Sequence, residues 1–374
     1  MPNRFEVDSD PGPARATRQA VADPERDHRT APPMRKRRRR KALVAVLVLL
    51  LLASGAVGAY LYSLAQIYDT QTIKIENAFP PDALRVAPPS APAGAERPMN
   101  ILLMGSDSRD KSQGGASAKA AAGEASNQRS DTLMLLHIPS DRSQVYSVSL
   151  MRDLWVDIPD HGKAKINAAL AFGGVPLMVR TVEELLQQRI DHVVSIDFEG
   201  FKGLTDALGG VEVDVKVPFT ADRDRNYVFT AGKNTLNGAQ ALAFVRERYA
   251  FADGDYQRVR NQQTFLRAVI TKTFNGGTLG NPVTLHNVLT AVSPYLSVAP
   301  GLDSVEVARL AFSLRNVRGE DAVFFTLPTA GVGTSADGQS IVLPDVGAIE
   351  EIKAALTADK LGEYAAAKNF GNGN

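Results

Sequence analysis

Three short apolar runs, at residues 100–104, 132–138 and 145–150, set the pattern of the chain. Each has strand length and is bounded by turn-forming residues, so the three are expected as neighbouring core strands. Residues 155–159 read as a continuing extended edge. A small-residue helix is expected to follow and to end at Gly173 and Gly174, with Pro176 where a first helical turn tolerates it. Met178, Val182, Leu185, Leu186 and Ile190 then recur at helical spacing, which predicts an amphipathic helix packed on a sheet. Residues 192–198 read as a strand, 199–208 as a helix closed by Gly209 and Gly210, and 211–217 as a strand of clean alternation. Residues 236–245 look helical, and Asp253-Gly254-Asp255 is a helix start signal. Further on come a helix at 304–314, a strand at 322–327, a Gly/Ser-containing loop and a closing helix at 343–356. Strands alternating with helices predict a layered α/β or α+β domain.

The N-terminal pattern is different. Residues 1–34 are rich in proline and charge, carry no apolar periodicity and predict a disordered tail. An unbroken basic run at 35–41 then abuts an apolar run at 42–62. At about 1.5 Å per residue this run is enough helix to cross roughly 30 Å of hydrocarbon. An uncleaved transmembrane anchor is expected, with a cleaved signal peptide as the rival reading. The positive-inside rule keeps the basic run cytoplasmic and puts everything after Tyr62 outside the cell. Residues 63–79 are uninformative, and the proline-dense 80–98 reads as a semi-rigid spacer. The expected organisation is therefore a tail at 1–41, a span at 42–62, an extracellular linker at 63–98, a catalytic domain at 99–357 and a frayed tail at 358–374.

Composition narrows the chemistry. The chain has 374 residues, a formal net charge of +1, five scattered histidines and no cysteine. Near-neutrality gives no global field for nucleic acid, and no helix-turn-helix pattern precedes the span. Disulfides, thiolate zinc sites and cysteine nucleophiles are excluded.

Acids and arginines collect at the ends of the first strands: Asp107, Arg109, Arg129, Asp131, Arg152 and Asp153. One reading is surface ion pairs, each contributing about 0 to 1 kcal/mol. The other is a phosphate site, in which carboxylates hold a hard divalent cation and guanidinium forks hold phosphate oxygens. The preference for arginine over lysine favours the second. A second cluster lies downstream, where the helix at 236–245 delivers Arg246 and Arg248 and where Asp255, Arg258 and Gln262 share one face of the next helix. That face continues as Phe265, Leu266, Val269 and Ile270, so an anion at the first turn and apolar matter behind it are one reading, and an ordinary buried helix with a charged end is the other. Asp197 reads as a cap or turn acid.

The ordered segments NILLMGSDSR, RSDTLMLLHI, SLMRDLWVDIP, LGGVEVDV, GKNTLNGAQALAFVRER and DYQRVRNQQ closely resemble the LytR-CpsA-Psr family of envelope proteins. The resemblance is dense over residues 100–272 and looser to 356. It implies a mixed central sheet between helical layers, a three-layer α/β/α domain, with a hydrophobic groove for a polyprenyl tail. It also implies a membrane-anchored phosphotransferase that moves a glycopolymer from a polyprenyl-pyrophosphate carrier to a peptidoglycan hydroxyl. By the same resemblance Asp107 and Asp131 match acids for Mg²⁺ (or Mn²⁺). Arg109, as a strand-end arginine, and Arg129, Arg152, Arg246, Arg248, Arg258 and Gln262, which match the family's positions, are candidates to grip the pyrophosphate. Arg152, Asp153 and Asp255 are the catalytic candidates, with Asp153 or Asp255 assisting deprotonation of the acceptor. The sequence departs from the family pattern at Met151, where proline is usual, and in the low-complexity insert at 110–128. A pyrophosphatase using water, and a non-catalytic polymer binder or regulator, are the alternative functions.

Overall fold

The computed structural model describes residues 34–89, 96–106, 130–222, 226–275, 278 and 280–370. An apolar helix, α1 (Met34–Gln71), opens them, and its Arg39–Gln71 stretch is long and apolar enough to cross a membrane. The chain divides into two compact units after Gly58.

In the second unit α1 is followed by β1 (Ile73–Lys74), β2 (Met99–Ser106), β3 (Ser130–Ile138), β4 (Val145–Ser149), β5 (Trp155–Ile158) and β6 (Gly162–Lys165). Next come α2 (Ala168–Leu186), β7 (His192–Asp197), α3 (Phe198–Ala207), β8 (Val211–Val215), β9 (Phe219–Thr220), β10 (Val228–Phe229) and β11 (Gly232–Leu236). Then follow α4 (Gly238–Arg246), α5 (Asp255–Asn275), α6 (Pro282–Val292), β12 (Leu296–Val298) and α7 (Ser304–Ser313). The last elements are β13 (Ala322–Thr326), β14 (Thr329–Thr334), β15 (Ser340–Pro344), α8 (Val346–Thr357) and α9 (Leu361–Ala367).

Among the described residues, seven strands form one sheet in the order β1-β12-β7-β2-β3-β4-β13. It is mixed: β2 runs parallel to β7 and antiparallel to β3, while β4 runs antiparallel to β3 and parallel to β13. The three apolar runs are therefore adjacent strands, as expected. Side chains alternate across the sheet. Leu102, Leu133, Leu135 and Val193 join a core with Met178 and Val182 of α2 and Ile352 of α8. Leu103, Met134 and Val194 face the other way, toward Phe201 of α3, Leu242 of α4 and Phe265 of α5. Helices thus cover both faces of the sheet, which is the layered arrangement expected. A second core fills the space between β8 to β11 and α4 and α5, with Val211, Val213, Phe244 and Phe265 buried in it.

Four local expectations change. The two helices expected on either side of Gly173 and Gly174 are one helix with a kink, because Gly173 (φ −147°) and Gly174 (φ 64°) leave helical geometry there. The extended edge at 155 is instead a two-stranded hairpin of β5 with β6. Part of the stretch expected as a linker at 63–98 packs on the domain: β1 joins the sheet edge beside β12, and Ile75 and Ala78, in the portion whose sequence is uninformative, are each 1% exposed. Arg85 lies 2.5 Å from the buried Glu183 carboxylate and stacks on Phe79. The tail expected to fray forms α9, with Leu361 and Ala365 buried and Phe370 stacked on Phe325. In both segments a few apolar or ion-pairing side chains find partners far away in sequence, and composition does not register that.

Candidate active site

Two helix ends and one turn build the site. α4 begins at Asn237, whose side chain forms a capping box with Gln240, and it stops at Arg246 because Glu247 turns extended (ψ 134°). A short loop with Gly254 at φ +48° leads into α5, whose first residue is Asp255. Arg152 and Asp153 come from the turn after β4, where the Leu154 N–H donates to the Met151 carbonyl at 2.9 Å. Methionine at 151 thus supports a tight turn without proline.

Asp255 is the hub. One carboxylate oxygen lies 3.0 Å from Arg258 Nη2 and 3.3 Å from Arg152 Nε, and the other lies 3.4 Å from Arg248 Nη1. Burial would raise the Asp255 pKa, but the Arg258 and Arg152 guanidinium groups, a hydrogen bond with the Asp153 side chain and the Arg248 guanidinium together hold it below the usual carboxylate range. Asp153 stands beside them, 3.5 Å from Arg152 Nε and 3.6 Å from Lys165 Nζ. Arg246 stacks over the Phe198 ring at 4.2 Å.

α5 is fixed in place by its own amides. Asn261 and Gln262 donate to the Phe244 and Val245 carbonyls at the end of α4, at 3.2 and 3.3 Å. Gln263 donates to Ser149 of β4 and Thr326 of β13, at 3.0 and 3.2 Å. Buried polar groups satisfied in this way give the arginines a rigid base.

Next to the arginines is a cavity of about 270 Å³. Its walls are apolar: Leu103, Val194 and Ile196 from the sheet, Phe201 and Leu204 from α3, Leu242 from α4, and Leu266 and Val269 from α5. Arg152, Arg246, Arg248, Arg258 and Gln262 also line it, and three of those arginines meet at Asp255, so the positive charge is gathered rather than spread. Such a site suits an amphiphile with an apolar part and an anionic head.

The structure brings together Arg152, Asp153, Arg246, Arg248, Asp255, Arg258 and Gln262, which come from three separate segments. Asp107, Arg109, Arg129 and the 110–128 insert lie outside the described residues, and for Asp131 only a backbone place in β3 is described. The end of β2 and the start of β3 are paired through Ser106 and Ser130, beside the cavity residues Gly105 and Thr132. Among the described residues no group of three or more His, Asp or Glu could hold a metal ion. Asp197 caps α3, accepting the Gly200 N–H at 2.8 Å, and also lines the cavity, where burial pushes its pKa up. Sequence reasoning missed Phe198 as the platform under Arg246. An aromatic residue immediately after the acid that ends a strand is the signal that could have found it.

Residues 66–358 match the family described as LytR_cpsA_psr. The chain is 30% identical over 314 residues to the cell wall biosynthesis protein LcpA of Corynebacterium glutamicum, covering 74% of this chain and 58% of that protein. It is 35% identical over 226 residues to the polyisoprenyl-teichoic acid–peptidoglycan teichoic acid transferase TagU of Enterococcus faecalis, covering 60% of this chain and 68% of that one. The chain thus spans less than two thirds of the length of LcpA. Among solved structures, TagV of Bacillus subtilis aligns with a TM-score of 0.57 at 26% identity, over 71% of this chain and 98% of TagV. TagT bound to LI-WTA aligns with a TM-score of 0.56 at 27% identity, over 74% of this chain and 94% of TagT.

Proposed function

This chain belongs to the LytR-CpsA-Psr family, and on that premise we propose that it is a cell-envelope phosphotransferase. Its donor is a glycopolymer on a polyprenyl-pyrophosphate carrier, and its acceptor is a hydroxyl of peptidoglycan. The observation that carries this reading is the apolar cavity whose charged lining is a set of arginines converging on Asp255. The names of relatives support the same chemistry, since TagU is a teichoic acid transferase to peptidoglycan.

The prenyl chain occupies the apolar cavity, and Arg152, Arg246, Arg248, Arg258 and Gln262 hold the pyrophosphate. The acceptor oxygen attacks the glycan-linked phosphorus, the bridging P–O bond breaks, and its electron pair leaves with polyprenyl phosphate. Negative charge grows on that leaving oxygen, where fixed guanidinium groups stabilise it. Asp153 takes the acceptor proton. Asp255, held ionised by the surrounding guanidinium groups and a hydrogen bond with Asp153, is a weak base and serves to align the arginines.

Asp107 and Asp131 would hold Mg²⁺ or Mn²⁺: they supply hard carboxylate oxygens, and the paired strand ends that precede each of them lie beside the cavity. Such an ion would supply Lewis-acid neutralisation of phosphate charge. The basic residues ahead of the apolar span support a cytoplasmic N-terminus and an extracellular catalytic domain.

The test incubates the full chain in detergent micelles with a polyprenyl-pyrophosphate glycan, a peptidoglycan oligomer and Mg²⁺, and reads the products by mass spectrometry. A glycan-phosphate-peptidoglycan adduct, absent with the Asp107→Asn, Asp131→Asn protein, is expected. Polyprenyl phosphate without an adduct would move the assignment to a pyrophosphatase.

A further inference from the structure

Glu247 is an acid that the transfer chemistry does not use, although it sits between two arginines that line the cavity. It is 5% exposed. One carboxylate oxygen accepts the backbone N–H groups of Arg248, Tyr249 and Ala250 at 2.9, 2.7 and 3.1 Å, and the other accepts that of Asp222 at 2.7 Å. Its own N–H donates to the Ala243 carbonyl at 3.1 Å and closes the last turn of α4. With Glu247 extended, side chains on either side of it point opposite to its own. Arg246 and Arg248 accordingly both line the cavity, while Glu247 turns away into the backbone of the loop that leaves the helix.

We propose that Glu247 is a positioning residue for the pyrophosphate grip: its carboxylate gathers the N–H groups of that loop and so fixes the backbone from which Arg248 reaches the substrate. The inference rests on the reading that Arg248 holds the pyrophosphate. A carboxylate offers acceptor sites on both oxygens, which is what four converging donors require. Glutamine in the same place can keep its carbonyl oxygen on the three loop N–H groups but would set its NH₂ against the Asp222 N–H, so Glu247→Gln removes the charge that strengthens those bonds and breaks the tie between the loop and Asp222. Arg248 Nη1 lies 3.4 Å from Asp255, so a shifted loop would move it off the hub.

The test is a double-mutant cycle in the full chain in detergent, reading binding of geranylgeranyl pyrophosphate by titration calorimetry, with uncharged geranylgeraniol as the comparison ligand. Glu247→Gln should weaken the pyrophosphate by about tenfold and add nothing further in the Arg248→Ala background. Geranylgeraniol binding should stay unchanged in both. Loss of both ligands alike, effects that add in the double variant, or full pyrophosphate affinity in folded Glu247→Gln protein would each overturn the proposal. If Glu247→Gln fails to fold, Glu247→Asp, which keeps the charge but withdraws it by one methylene, enters the same cycle with the same criteria. The underlying reading fails separately, if the unmutated chain prefers geranylgeraniol or if Arg248→Ala leaves pyrophosphate binding intact.

Discussion

Asp255 carries three guanidinium contacts and gives the site a definite pH response. Its folded pKa lies below the ordinary carboxylate value, so the stabilisation from its ion pairs is complete above the unfolded pKa of about 3.9 and is lost as pH falls through the folded value. Arginine organisation is therefore expected to persist from neutrality down to about pH 4, which a pH series of prenyl-pyrophosphate binding would check. Asp255→Asn should cost transfer about 10²-fold or more, because misaligned donors no longer meet the leaving phosphate. Asp153→Asn, by contrast, should lower turnover while leaving lipid binding intact. Arg152, Arg246, Arg248, Arg258 and Gln262, which the cavity brings together, were candidates in the sequence through the order of their motifs. The hub was not, since it depends on Arg152 approaching a helix that starts 103 residues later.

Where α3 meets α4, packing leaves no room for a side chain at Gly238. A Cβ there would lie 2.5 Å from the Lys202 carbonyl oxygen and 2.8 Å from the Asp206 carboxylate, which already accepts the Gly238 N–H at 2.7 Å. Gly238→Ala is expected to destabilise the domain by about 1 to 3 kcal/mol, read by urea unfolding, and to disturb the cavity wall at Leu242. Element boundaries marked by glycine were legible: Gly209 and Gly210, both at positive φ, end α3 where the sequence put its stop. Strands without an apolar run were not. β11 buries only Leu236 and is held by backbone pairing with β8, and β14, whose burial never passes intermediate, pairs with the short apolar β15 where a loop was expected. Hydrogen bonding to a partner strand leaves no periodic trace in such segments.

Across the whole molecule, a buried ion pair adds to the strand pairing of β1 in tying the segment after α1 to the domain. The Glu183 side chain is 1% exposed and also accepts the Ile190 N–H at 2.9 Å. Arg85→Ala leaves that carboxylate buried without its guanidinium, and a loss of about 3 to 5 kcal/mol in unfolding free energy is expected. Proline density at 80–98 concealed this attachment, because the partner of Arg85 lies 98 residues away. Layering, by contrast, followed from strands and helices alternating along the chain. In the proposed reaction, phosphorus passes to a sugar hydroxyl rather than to water. This is tested most directly by running the reaction in H₂¹⁸O with carrier-linked glycan and peptidoglycan and weighing the glycan phosphate. Transfer should leave that phosphate free of ¹⁸O and bound to peptidoglycan; one ¹⁸O atom per released glycan phosphate would instead mean hydrolysis and overturn the phosphotransferase assignment.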